Sequence, residues 1–239
     1  MMFGHFRVEH DADKATIMKL HWGPISPFVR KVMITAHETG LSDRITLVRS
    51  LVAMNAANAD VMLHNPLSKI PTLVTDDGAA LFDSDVICEY LDSLHTGPKL
   101  IPAESTARWQ TLRWNAFGSG ALDALVLWRN ERMRPQAHQS VPTLQTYALK
   151  INASLEWAER EMAALQATRF GLGHIAMGCM FGYLDARFAD LDWRAAHPQS
   201  AQWFETFMQR ESAKLTDPAL GVAPAVQPTD DAENAKETK

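Results

Sequence analysis

From Met18 to Leu94, short aliphatic runs alternate with apolar stripes at helical spacing, and beyond Leu94 the strand signals stop. That change of period restricts the chain to a small α/β unit followed by an all-helical one. Met18–Trp22 reads as the first strand. Phe28, Val29, Val32, Met33 and Ala36 put an apolar face on a helix from about Pro27 to Glu38, which Gly40 ends. Ile45–Arg49 predicts a second strand, Ala56–Leu63 a short helix broken by Asn65-Pro66, and Thr72–Thr75 a third strand. Asp77-Gly78 signals a hairpin into Ala80–Phe82, and Ser84–Leu94 predicts another helix.

Gly97, Pro98 and Pro102 mark a linker, so the first domain spans 18–95 and the second 103–217. Helices are predicted near 103–132, 142–167, 172–188 and 198–211. Residues 1–17 read as a flexible extension. Residues 218–239, rich in Pro, Asp, Glu, Lys and Ala, read as a disordered tail with too little apolar surface to offset its ordering entropy.

Composition enters where it excludes function classes. A net charge of −5 without a basic block gives nucleic-acid binding no support. The first residues, interrupted by Glu9, Asp11 and Asp13, do not read as a secretory signal, no stretch reads as a membrane span, and the expectation is cytoplasmic. Cys88 and Cys179, in apolar helix-like surroundings, read as buried free thiols rather than a disulfide framework. The nine histidines lack metal-ligand spacing, and no metal is expected.

Three stretches can carry chemistry. In Gly23-Pro24-Ile25-Ser26-Pro27-Phe28, serine then proline is a helix-start pair. Ser26 Oγ can simply cap the helix, or it can also face a bound thiolate, with the helix N-terminus adding to the field. In Asn65-Pro66-Leu67-Ser68-Lys69-Ile70-Pro71, a proline entering a strand forces Ile70 to be extended. It is an edge-strand proline, or, if the bond is cis, it frees the Ile70 backbone to pair with an extended peptide. In Phe82-Asp83-Ser84-Asp85, Ser84 is expected to cap the next helix, and that N-terminus with its hydroxyl can hold a carboxylate while Asp83 takes an ammonium group.

The order of these stretches, with Leu100-Ile101-Pro102 at the linker and Ala201-Gln202-Trp203-Phe204 before Leu215-Thr216-Asp217-Pro218, resembles the soluble glutathione transferases over roughly residues 18–217. The Ser-Pro-Phe start is similar to the tau and omega-type pattern and its bacterial relatives. The resemblance implies an α/β thioredoxin-like N-terminal domain and an all-α C-terminal domain, with glutathione as cosubstrate and a homodimer as the assembly. It implies that Ser26 hydrogen-bonds the glutathione sulfur. Lys69 then approaches the glycine carboxylate, Ile70 ahead of a cis Pro71 pairs with the cysteinyl backbone, and Asp83 and Ser84 hold the γ-glutamyl group. The second substrate is a small hydrophobic electrophile, in a cleft where Trp22, Trp114, Phe117, Trp128, Arg129 and Arg132 are expected. A non-catalytic binding or regulatory protein, or a glutathione-dependent isomerase, peroxidase or ether-cleaving enzyme, shares the same pattern.

One departure stands out. Where the family starts the central helix of its second domain with Ser or Thr and an Asp three residues on, this chain has Gly171-Leu172-Gly173-His174. Glycine caps with little loss, but the missing acid removes a partner for one backbone donor.

Overall fold

The computed structural model describes residues 17–218. Apart from Ile17 and Pro218, the extension and the tail expected at the two ends lie outside the described residues. The first domain is a four-stranded sheet in the order β2-β1-β3-β4. β1 (Met18–Trp22) runs parallel to β2 (Ile45–Arg49) and antiparallel to β3 (Thr72–Val74), which pairs with β4 (Ala80–Leu81). As an inner strand, β1 buries Met18, Leu20, His21 and Trp22, the near-continuous burial of a strand covered on both faces. α1 (Pro27–Glu38) and α3 (Ser84–Ser93) pack beside it, and α2 is only Ala59–Met62. The helix expected over 56–63 starts late because Ala53 and Ala56 form a bridge and Asn58 takes the cap, accepting from Val61 N at 3.1 Å.

The second domain holds α4 (Ser105–Arg132), α5 (Val141–Gln166), α6 (Leu172–Arg187), α7 (Trp193–Ala196), α8 (Pro198–Met208) and α9 (Glu211–Leu215). α6 is buried at every position from Leu172 to Leu184, as a helix that is apolar all round must be. It threads between α4, α8 and α1 and forms the centre of the larger core.

The start of α6 explains the Gly171 departure. A Cβ on Gly171 would collide with the Leu100 carbonyl, which accepts the Leu172 N–H at 3.0 Å, so no serine or threonine fits where the linker crosses. The donor expected to lose its partner keeps one. Gly171 N–H donates to His174 Nδ1 at 3.2 Å, and the other ring nitrogen lies 3.0 Å from the Leu165 carbonyl. Histidine replaces the acid as the reciprocal cap, as the neutral Nε2–H tautomer.

α1 locks the two domains together and is buried on nearly all sides, Arg30 and Lys31 included. Arg30 Nη2 donates to the Ala213 carbonyl at 3.3 Å, but Nε and Nη1 are buried without partners. A buried cation without a carboxylate costs more than an apolar side chain of similar length. Arg30→Met is therefore expected to stabilise the fold by about 1–3 kcal/mol, raising Tm on the order of 5 °C. A lower Tm in a thermal scan would contradict that reading.

Candidate active site

Ser26 lies at the join of β1 and α1. It is the N-cap residue, with extended backbone (φ −73°, ψ 119°), and its Oγ accepts from Val29 N at 3.3 Å. That bond uses a lone pair and leaves the hydroxyl hydrogen available to donate to a thiolate. Capping and thiolate binding are therefore compatible at this oxygen. Across from it runs the 65–72 segment. A Cβ on Gly23 would sit 3.0 Å from Ile70 Cδ1, so the loop before Ser26 and the residue before Pro71 are in contact.

The Ile70–Pro71 bond is cis, as is Phe82–Asp83. Asn65 and Thr72 fix the approach to it: Thr72 Oγ1 donates to the Lys69 carbonyl at 2.8 Å, and Asn65 Nδ2 to Thr72 Oγ1 at 2.9 Å. Lys69 itself is exposed. His21 ties this region to the sheet, with its ring nitrogens 2.8 Å from Ser50 Oγ and 3.1 Å from His64 Nδ1. Burial first, and His64 second, lower the His21 pKa and favour its neutral form.

At α3 the cap is Asp83, not Ser84. Asp83 accepts from Asp85 N at 2.9 Å, whereas Ser84 is the first helical residue and is buried. Both residue types cap well, so sequence leaves a one-residue ambiguity. Asp85 pairs with Lys31. Lys31 Nζ also donates to Asn115 Oδ1 at 3.1 Å and Ser119 Oγ at 2.9 Å. All three ammonium protons are satisfied at the junction of α1, α3 and α4.

A further acid went unread in the sequence. Asp123 is on α4, one turn past Ser119, and senses the charges of Lys69, Asp83, Asp85 and Lys31. Burial first raises its pKa, Asp83 and Asp85 add to the rise, and Lys69 opposes it. The Asp83 carboxylate and the Lys69 ammonium both lie near enough to act on Asp123 through their charges. The spacing Asn115, Ser119, Asp123 on one helix face was the available signal.

The residues expected in a second-substrate cleft divide. Trp114 is only 1% exposed and donates from Nε1 to Glu161 at 2.9 Å, which places it in the helical core rather than an open cleft. Phe117 packs on Trp157 of α5 at 4.0 Å between centroids, on the side of α4 facing its own domain. Trp22 is buried in the core of the first domain. Trp128 stacks on Phe188 at 5.0 Å. Arg132 covers that pair and is held by Asp190 at 2.6 Å, so its charge is already matched. Arg129 is half-buried. Among the described residues no group of histidines, cysteines or acids could hold a metal ion, and no helix is long and apolar enough to cross a membrane.

Comparison with known proteins places these features in a family. Residues 25–94 match the glutathione S-transferase N-terminal domain and residues 142–206 the C-terminal domain. The chain is 34% identical to the uncharacterized GST-like protein YibF of Escherichia coli, over 84% of this chain and 98% of that one. It is 29% identical to the stringent starvation protein A homolog of Coxiella burnetii, over 85% and 92% of the two chains. A glutathione transferase family member from Pseudomonas fluorescens, solved with bound glutathione, superposes with a TM-score of 0.82 at 41% identity, covering 84% of this chain and 98% of that one. A family member from the same strain, solved with S-(propanoic acid)-glutathione, gives 0.78 at 40%, covering 84% and 99%. With a thioredoxin-like sheet domain and a helical domain each matched in order, this chain belongs to the glutathione S-transferase family.

Proposed function

We propose that the protein is a glutathione S-transferase in which Ser26 stabilises the glutathione thiolate for attack on a small hydrophobic electrophile. The observation that carries the reading is Ser26 at a helix N-terminus with the loop just before it packed at Gly23 against Ile70. The Ile70 backbone pairs with the cysteinyl unit, Lys69 takes the glycine carboxylate, and Ser84 with the α3 N-terminus takes the γ-glutamyl carboxylate. Asp83 and Asp123 share the ammonium. The electrophile lies toward Trp128 and Arg129, and the assembly is a homodimer.

The energy suffices without a general base. A thiol with a pKa near 8.5 needs about 2.7 kcal/mol to shift down by about two units. A hydrogen bond to a charged group contributes about 1.5–3 kcal/mol, and a helix N-terminus about 0.3–1 kcal/mol. The thiolate then forms the carbon–sulfur bond as the leaving group departs with its electron pair, and alignment of the two substrates supplies much of the remaining acceleration.

A second reading is a glutathione-fold regulator without turnover, favoured by similarity to a relative named for stringent starvation and not for transferase activity. Two measurements separate them. Calorimetric titration is expected to show one glutathione site per chain, weakened at least tenfold by Asp83→Ala. A nitro-activated aryl halide is expected to be conjugated at a rate proportional to enzyme. Glutathione binding without turnover on a panel of electrophiles would favour the regulator, and no glutathione binding by folded protein would refute both glutathione readings.

A further inference from the structure

α4 and α6 run side by side in the same direction. Gly118 lies against Ala176, where a Cβ on the glycine would meet the alanine Cβ at 2.9 Å, and further along Trp128 stacks on Phe188 at 5.0 Å. Arg129 and Arg187, each adjoining one ring of that stack, therefore come level with each other. Their neighbours Arg132 and Arg194 are neutralised by Asp190 and Asp185. Among the described residues no carboxylate pairs with Arg129 or Arg187, and Arg187 Nε is buried without a hydrogen-bond partner. Burial first, and the Arg129 charge second, lower the Arg187 pKa, with Tyr183 opposing them. Two half-buried guanidiniums on neighbouring helices, each within the field of the other, are unfavourable until an anion completes the set.

The pair also sits at the right end of the molecule. Arg30 of α1 lies at Gly182 of α6, while Thr35, later in α1, bonds Cys88, whose charge neighbour on α6 is the earlier residue Cys179. The two helices are antiparallel, so the Ser26 end of α1 points toward the Arg187 end of α6.

We propose that Arg129 and Arg187 form a carboxylate-binding subsite in the second-substrate cleft, so that the preferred electrophile is an organic acid. This rests on the glutathione reading above and narrows the class of acceptor. The two guanidiniums offer paired N–H donors to one carboxylate.

The test compares S-(3-carboxypropyl)glutathione with S-butylglutathione, conjugates of nearly equal length that differ in the terminal charge, by calorimetry on the full chain. The wild type is expected to bind the acid at least tenfold more tightly. Arg129→Gln and Arg187→Gln are each expected to abolish that preference while leaving glutathione affinity unchanged, and Arg187→Lys to retain part of it. Equal affinity of the wild type for the two conjugates, or a preference that survives both glutamine variants, would overturn the proposal. Binding of 4-phenylbutyrate against its amide, without glutathione, separates the two failures. Acid binding that depends on Arg187 in a protein deaf to glutathione would sink the transferase reading and keep the anion subsite. No preference for the acid in that assay would remove the subsite whatever glutathione does.

Discussion

Asp85→Ala is expected to destabilise the protein by about 3–5 kcal/mol, a fall in Tm on the order of 10 °C, and to cost more than Lys31→Met. The asymmetry comes from burial. Lys31 is wholly buried, while the Asp85 side chain is 41% exposed. Removing the carboxylate strands an ammonium in the interior with only Asn115 Oδ1 and Ser119 Oγ as acceptors. Removing the ammonium instead frees a carboxylate that water can reach and that keeps the Asn115 amide at 3.0 Å. Lys31→Met is therefore expected to cost only about 1–2 kcal/mol. Because Asp85 occupies the first turn of α3, its loss is also expected to weaken glutathione binding through Ser84. Urea denaturation of both variants measures the difference, and a larger loss for Lys31→Met would show that the carboxylate is not what holds the buried cation.

Acid is expected to weaken the protein through His174. Burial first lowers its pKa from 6.5 to about 4, and the Arg210 charge lowers it further, against the bond to Leu165 O. The folded pKa lies below the unfolded one, so nothing is lost above pH 6.5, where both states hold neutral imidazole. As pH falls from 6.5 toward 4 the unfolded chain takes up a proton that the folded chain refuses, and about 3 kcal/mol of stability is lost. Protonation would also place a hydrogen on Nδ1, where the Gly171 N–H now donates. His174→Gln offers an acceptor without a titrating ring. Its stability is expected to match or fall below the wild type at pH 7.5 and to exceed it by about 2–3 kcal/mol near pH 4.5. A constant difference across that range would mean that His174 is not the group responsible.

Most of the architecture was readable because period and punctuation agreed. The strands at Met18–Trp22 and Ile45–Arg49 and the helix at Pro27–Glu38 lie where aliphatic runs, Ser26-Pro27 and Gly40 put them. α7 and α9, four and five residues long, are too short to show a helical period. The polar residues of α1 were the harder problem. Arg30 and Lys31 look like the solvated face of an amphipathic helix, yet that face is covered by α6, α8, α9 and the α3–α4 junction, contacts from distant sequence. Asp123 was hidden for the same reason: on a long helix it is one more charge until the first domain is set beside it. Gly171 and His174 could be noticed but not explained, since the cause is the Leu100 carbonyl about seventy residues earlier. Trp114 shows the opposite error, because a tryptophan near an expected cleft is chemically as well suited to a core when Glu161 is there to accept its N–H.

The sulfur of a bound tripeptide reports on Ser26 directly. Ultraviolet titration of the thiolate in the glutathione complex is expected to give a pKa about two units below the free value near 8.5, and Ser26→Ala is expected to return it upward by at least one unit with the tripeptide still bound. A titration curve that is the same with serine and with alanine at position 26 would contradict the account.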